Sequence, residues 1–137
     1  LAYSNFIKKR LQHHDIKIDF YANSIRSFMH PIDMTNWIIR SIKLKNYNIL
    51  NVGGENKYKL KDLAEMIANT KFSNLKTTNV EVTSKKQIKS VYIPSLNLAY
   101  KKGFKLSLGL RDSIIDSLKH KKITKNEYKY YFKITKK

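Results

Sequence analysis

Helical stripes of apolar residues alternate with short extended segments along this chain, and that alternation limits the fold more than any other feature. Phe6, Ile7 and Leu11 recur at helical spacing behind Ser4, which predicts a helix over residues 4–14. Met34, Trp37, Ile38 and Ile42 predict a second, opened by Pro31 and running to about Ser41. Leu60, Leu63, Ala64 and Ile67 form one stripe of a third helix ending near Ala68. Leu110, Ile114, Ile115 and Leu118 mark the last, and Ser95 is expected to cap a short helix to Lys102 that Gly103 closes. Between them, Ile16 to Phe20 alternates apolar and polar as a strand does, and residues 21–24 read as a turn. Residues 27–30 are predicted to be extended. Tyr47 to Val52 and Val80 to Thr83 are predicted strands, the first ended by Gly53-Gly54, and residues 84–89 form a polar loop. A small mixed α+β domain of the α/β kind follows. Its core is expected to join strands at Arg26 to Phe28 and Tyr47 to Val52 to the helices bearing Trp37, Leu63 and Ile114.

The chain has 137 residues, 42% of them hydrophobic, which suits one compact domain and leaves no room for a second. No run approaches the roughly 18 consecutive apolar residues of a membrane span. Cysteine is absent, which excludes disulfides, thiolate metal sites and cysteine nucleophiles, and makes a cytoplasmic protein the simplest reading. The start, Leu1-Ala2-Tyr3-Ser4, has neither an initiator methionine nor the order of a signal peptide, so a piece of a longer chain is expected. A formal charge of +18 invites a polyanion or nucleic-acid partner. The lysines are nevertheless scattered among asparagines and isoleucines, except in the dense tail from Lys121 to Lys137.

Catalytic constellations are hard to find. The glycines Gly53, Gly54, Gly103 and Gly109 do not form the spaced loop that brings backbone N–H groups to a pyrophosphate. No tyrosine has a lysine four residues later, so a Tyr/Lys proton-transfer pair is missing as well. His13 and His14 are adjacent on a helix and point in different directions, which does not suit one tetrahedral ion. Asp15 and Asp19 make no acid/base pair.

What remains is Arg26-Ser-Phe-Met-His-Pro-Ile-Asp33, followed by Asn51-Val-Gly-Gly54, with Asn5-Phe6 and Ile16 to Phe20 before them. Leu63-Ala64-Glu65, Gly103-Phe104 and the Leu110, Ile114, Leu118 stripe come after. In this order and spacing, over roughly residues 2–119, the chain resembles the C-terminal, substrate-binding part of an extended short-chain dehydrogenase/reductase, of the NAD-dependent sugar-nucleotide epimerase and dehydratase kind. It departs from that pattern at Tyr21-Ala22, where relatives carry Asp-Gly, and at Lys59, where a Ser or Thr often caps the next helix. Lys85, Lys86 and Lys89 stand near the place of a second arginine, supplying charge without a bidentate fork.

The resemblance implies a lobe over residues 1–119 that grips a nucleoside diphosphate sugar, with residues 120–137 as a basic, aromatic tail. Arg26 is implied as the ligand of a diphosphate oxygen, and Asn5 as a phosphate contact at a helix start. Asn51 and the three lysines of the 84–89 loop are further candidates for substrate binding. Phe28 and Trp37 are assigned to packing, and His30 and Asp33 to the join between strand and helix. No catalytic, metal or cofactor residue is implied in this chain. NAD(P) is expected in a full-length parent, on an N-terminal Rossmann domain that these residues lack, and the lobe alone should not turn over. Surface-polysaccharide synthesis is an implied setting. The rival is a basic module that holds nucleic acid through its lysines.

Overall fold

The computed structural model describes residues 2–45 and 49–119. Among these described residues, five helices and five very short strands follow in order: α1 (Ala2–Leu11), β1 (Ile16–Ile18), β2 (Ile25–Arg26), α2 (Pro31–Ile42) and β3 (Tyr58–Lys59). Next come α3 (Leu60–Asn69), β4 (Val80–Val82), β5 (Val91–Tyr92), α4 (Asn97–Lys101) and α5 (Leu110–Lys119). β1 pairs in parallel with β4, matching Ile16 with Val80. A second sheet has the order β3-β2-β5, antiparallel on one side of β2 and parallel on the other. This is the small mixed α/β architecture expected from the sequence. Among the described residues no helix is long and apolar enough to cross a membrane.

The main core lies where α1, α3 and α5 close over β1. Phe6 and Ile7 from α1 meet Ile16 and Ile18, the buried stripe Leu60, Leu63, Ala64, Ile67 and Ala68 of α3, and Leu110, Ile114 and Leu118 of α5. Arg10 shares the α1 face with Phe6 and is 0% exposed. Its Nη2 donates to the carbonyls of Thr70 (3.3 Å) and Leu75 (3.1 Å), so it ties α1 to the chain leaving α3. Burial lowers its pKa, but a guanidinium keeps its proton.

Trp37 belongs to a different cluster, with Leu96, Ala99 and Phe104. The expectation of one core uniting Trp37 with Leu63 and Ile114 is therefore incorrect. The reason lies in α2, which buries only Asp33 and Trp37 and contributes no side chain to the α1–α3–α5 core. Trp37 Nε1 donates to Lys105 O (2.7 Å), and the Phe104 ring meets it edge-on at 5.2 Å between centroids. Arg40 stands over that ring at 5.3 Å.

Several element boundaries also differ. α1 ends at Leu11, with His13 turning the chain at φ 57°, so the helix does not reach His14. β1 stops at Ile18, because Asp19 and Phe20 turn toward the 84–89 loop. In place of the strand expected at Arg26 to Phe28, β2 holds only Ile25 and Arg26, and residues 27–30 belong to no strand. Residues 49–52 are not a strand, and Tyr47 and Asn48 lie outside the described residues, as does the 120–137 tail. Ser95 does not cap α4: the cap position is Leu96, with no side-chain hydrogen bond, although Gly103 at φ +78° does follow the helix. α3 likewise has Lys59 at its cap position with no side-chain hydrogen bond, as its sequence implies.

Gly54 explains the Asn-Val-Gly-Gly segment. A Cβ there would stand 1.9 Å from the Phe28 carbonyl oxygen, so the chain passes too close to the 27–30 segment for any side chain. Gly54→Ala is expected to cost about 3 kcal/mol or more, because backbone rather than a flexible tip must move. Urea denaturation checks this; a loss below about 1 kcal/mol would mean that the crossing yields easily.

Candidate functional site

Ser24, 0% exposed, organises the region around Arg26. Its hydroxyl donates to Ile88 O (3.0 Å) and accepts from Ser90 N (3.2 Å), drawing the 84–90 strap onto the turn before β2. Gln87 completes the attachment: its Oε1 accepts from Ala22 N (3.0 Å), and its Nε2 donates to Asp19 O (3.0 Å) and Ser84 O (2.7 Å). The Tyr21-Ala22 turn thus takes its shape from a glutamine amide 65 residues away in sequence, with Ala22 buried beneath it.

Arg26 projects beside this strap. Its Nη1 donates to Ile25 O (2.8 Å) and Ser90 O (3.0 Å), and its Nη2 donates to Ser90 Oγ (2.8 Å). A guanidinium has five N–H donors. Three are engaged here, and the Nε–H with the second Nη2 hydrogen forms a two-pronged edge without a partner among the described residues. That edge is suited to two oxygens of one phosphate or carboxylate.

Arg26 and Ser90 line a cavity of about 980 Å³. Ser27, Phe28, Met29 and Pro31 follow Arg26 along one wall, Tyr21, Ile88 and Leu60 add apolar surface, and α1 contributes Ala2, Tyr3 and Ser4. Ser113 and Ser117, one turn apart on α5, supply the remaining side. Tyr3 Oη and Ser117 Oγ share a hydrogen bond of 2.9 Å, and burial pushes the Tyr3 phenol's pKa up. The Tyr3 and Phe28 rings lie 6.0 Å apart.

The floor is braced from behind. His30 is buried, with Nδ1 accepting from Ile32 N (3.1 Å) as the cap of α2 and Nε2 3.2 Å from Asp116 Oδ2. Asp33, 1% exposed, accepts from Ser107 N and Leu108 N at 3.0 Å each, and from the Ser107 hydroxyl. Burial pushes its carboxyl up, but these three donors, with His30 nearby, outweigh that effect and hold it below the usual carboxylate range. His30 and Asp33 therefore shape the junction, as their positions in the motif implied.

The other candidates do not converge on the cavity. Asn5 is exposed on α1 and borders a separate hollow with Lys9, His13, His14, Asp15 and Lys17. Asn51 donates through Nδ2 to Ser95 O (3.1 Å), linking the Gly53-Gly54 turn to the approach to α4. Lys85, Lys86 and Lys89 are exposed on the strap whose Ile88 and Ser90 reach the cavity. Phe28 is half-buried, packing against the main core while lining the cavity. Ser24, Gln87, Ser90, Ser113 and Ser117 were missed by the sequence reading; single serines and a glutamine carry no local signal of such distant partners.

The glycines do not fit a pyrophosphate cradle. Gly54 is closed by the Phe28 carbonyl and Gly103 by the Arg40 guanidinium, while a Cβ on Gly53 would meet Pro94. Gly109 N already donates to Asp112 Oδ2 (2.8 Å). Among the described residues no three His, Asp or Glu side chains are placed to share a metal ion.

No family model and no curated protein matches the chain in sequence. Solved structures do match. UDP-N-acetylglucosamine 4-epimerase from Bacillus cereus aligns with 88% of this chain and 41% of its own length, at TM-score 0.69 and 15% identity. UDP-glucose 4-epimerase from Thermotoga maritima, determined with UDP-glucose, covers 96% of this chain and 40% of its own, at TM-score 0.66 and 12% identity. UDP-glucuronic acid 4-epimerase from Bacillus cereus, in complex with NAD, covers 87% and 37% at TM-score 0.63 and 16% identity. The chain spans about two fifths of the length of these solved chains. Its fold is that of the C-terminal part of the extended short-chain dehydrogenase/reductase epimerases.

Proposed function

We propose that this chain is the nucleotide-sugar-binding part of an NAD(P)-dependent sugar-nucleotide epimerase or dehydratase, incomplete as a catalyst by itself. The observation that carries the reading is Arg26, which lines the cavity and keeps two N–H groups without a partner among the described residues, on a fold that the similar enzymes share. Arg26 would grip the diphosphate, and binding energy from that remote group would position the sugar for chemistry on another domain. Asn5, Asn51, Lys85, Lys86 and Lys89 remain proposed as outer contacts, with the lysines drawing the dianion in from a distance. The chemistry would be isomerase or lyase chemistry, in the setting of polysaccharide synthesis.

The Rossmann domain that would hold NAD(P) is a proposed partner, and α2 supports it. Ile32, Ile38, Ile39 and Ile42 are exposed on that helix, Ile42 by 77%. Four isoleucines on twelve residues are more than a solvated helix needs. Residues 1–119 are accordingly proposed as the sugar-nucleotide lobe and residues 120–137 as an appended basic tail.

Calorimetry with UDP tests the assignment. Arg26→Ala removes charge and fork together, while Arg26→Lys keeps the charge alone. Alanine is expected to weaken UDP binding about 10- to 100-fold, and lysine to recover only a small part of that. Thermal melts of the variants separate a lost contact from a lost fold. The rival reading, a polyanion-binding module, is favoured by the +18 charge. It expects equal affinity in all three proteins and a steep fall with salt.

A further inference from the structure

We infer that the α5 side of the cavity, formed by Tyr3, Ser113 and Ser117, is a subsite for an uncharged sugar and selects against uronic acids. This rests on the nucleotide-sugar reading above and adds the sugar class to it. Among the described residues that line the cavity, Arg26 is the only charged one. Three of its donors are already held by Ile25 and Ser90, so a diphosphate would use the one remaining edge. A second anion, such as the carboxylate of a uronic acid, would find hydroxyls and aromatic rings but no cation among the described residues of this wall.

Those hydroxyls suit a neutral sugar. Tyr3 Oη and Ser117 Oγ bond each other at 2.9 Å, and either can be the donor. Each can therefore turn to a sugar hydroxyl as donor or acceptor without leaving the other group unsatisfied. Ser113 Oγ, one turn earlier on α5, makes only a long bond of 3.4 Å to Gly109 O among the described residues and can turn to a better partner. The neighbouring Tyr3 and Phe28 rings offer apolar surface to the C–H face of a pyranose. The His30–Asp116 bond fixes the α5 turn that carries both serines.

Titrating the full chain with UDP, UDP-glucose and UDP-glucuronate tests the subsite. UDP-glucose is expected to shift the Ser113 and Ser117 amide signals and to bind more tightly than UDP. UDP-glucuronate should bind no better than UDP. Tyr3→Phe and Ser117→Ala should each lower the affinity for UDP-glucose about 5- to 10-fold, toward that for UDP. Tighter binding of UDP-glucuronate than of UDP-glucose overturns the inference. So do unmoved Ser113 and Ser117 signals while UDP still binds through Arg26, a result that leaves the nucleotide reading intact. If UDP shows no Arg26-dependent binding, the nucleotide reading fails and the sugar assignment fails with it.

Discussion

Truncating Trp37 to alanine is expected to lower the unfolding free energy by about 3–5 kcal/mol. The indole is 4% exposed and is the largest member of a cluster that otherwise holds Leu96, Ala99 and Phe104. Its removal deletes the edge-on contact with Phe104 and leaves Lys105 O without its donor. Because this cluster is separate from the α1–α3–α5 core, the loss should concentrate in α2, α4 and the 104–106 segment, seen as faster amide exchange there. Urea denaturation measures the total. A change below about 1 kcal/mol would show that α2 does not depend on this face.

Asp33→Ala should be nearly as costly, at about 3–5 kcal/mol, since it orphans two backbone N–H groups and a hydroxyl in a buried place. The carboxyl also has a pH signature. Its folded pKa lies below the ordinary value of about 3.9. A depressed carboxylate contributes stability that is complete above the unfolded pKa and is lost as pH falls through the folded one. The wild type should therefore lose stability below about pH 4. Asp33→Ala should lose less over the same range, because it lacks this group. Identical acid losses in the two proteins would remove Asp33 from that account.

The helices were legible because their apolar spacing is local. Leu60, Leu63, Ala64 and Ile67 form a single buried face whatever lies elsewhere, and the observed helix begins at the expected residue. Strands β2, β3 and β5 were harder: each has two residues, and Ile25 pairs with Val91 across 66 positions. No periodicity of two can be read in two residues. The single core was mistaken for a related reason. Helical spacing shows which face of α2 carries Trp37, but not which neighbour that face meets. Of the candidate site, Arg26 was visible through its motif, whereas the strap that positions it depends on Ser24, Gln87 and Ser90. Those residues reveal their role only when the turn and the strap are brought together.

The Arg26 cavity, rather than diffuse positive charge, is what we propose recognises a nucleoside diphosphate sugar. Amide NMR of the 137-residue chain titrated with UDP-glucose at moderate salt tests it most directly. The account predicts shifts around Arg26 and Ser90 that survive the salt and disappear in Arg26→Ala. Shifts confined to residues 120–137 that vanish as salt is raised would contradict it and assign the binding to polyanion attraction.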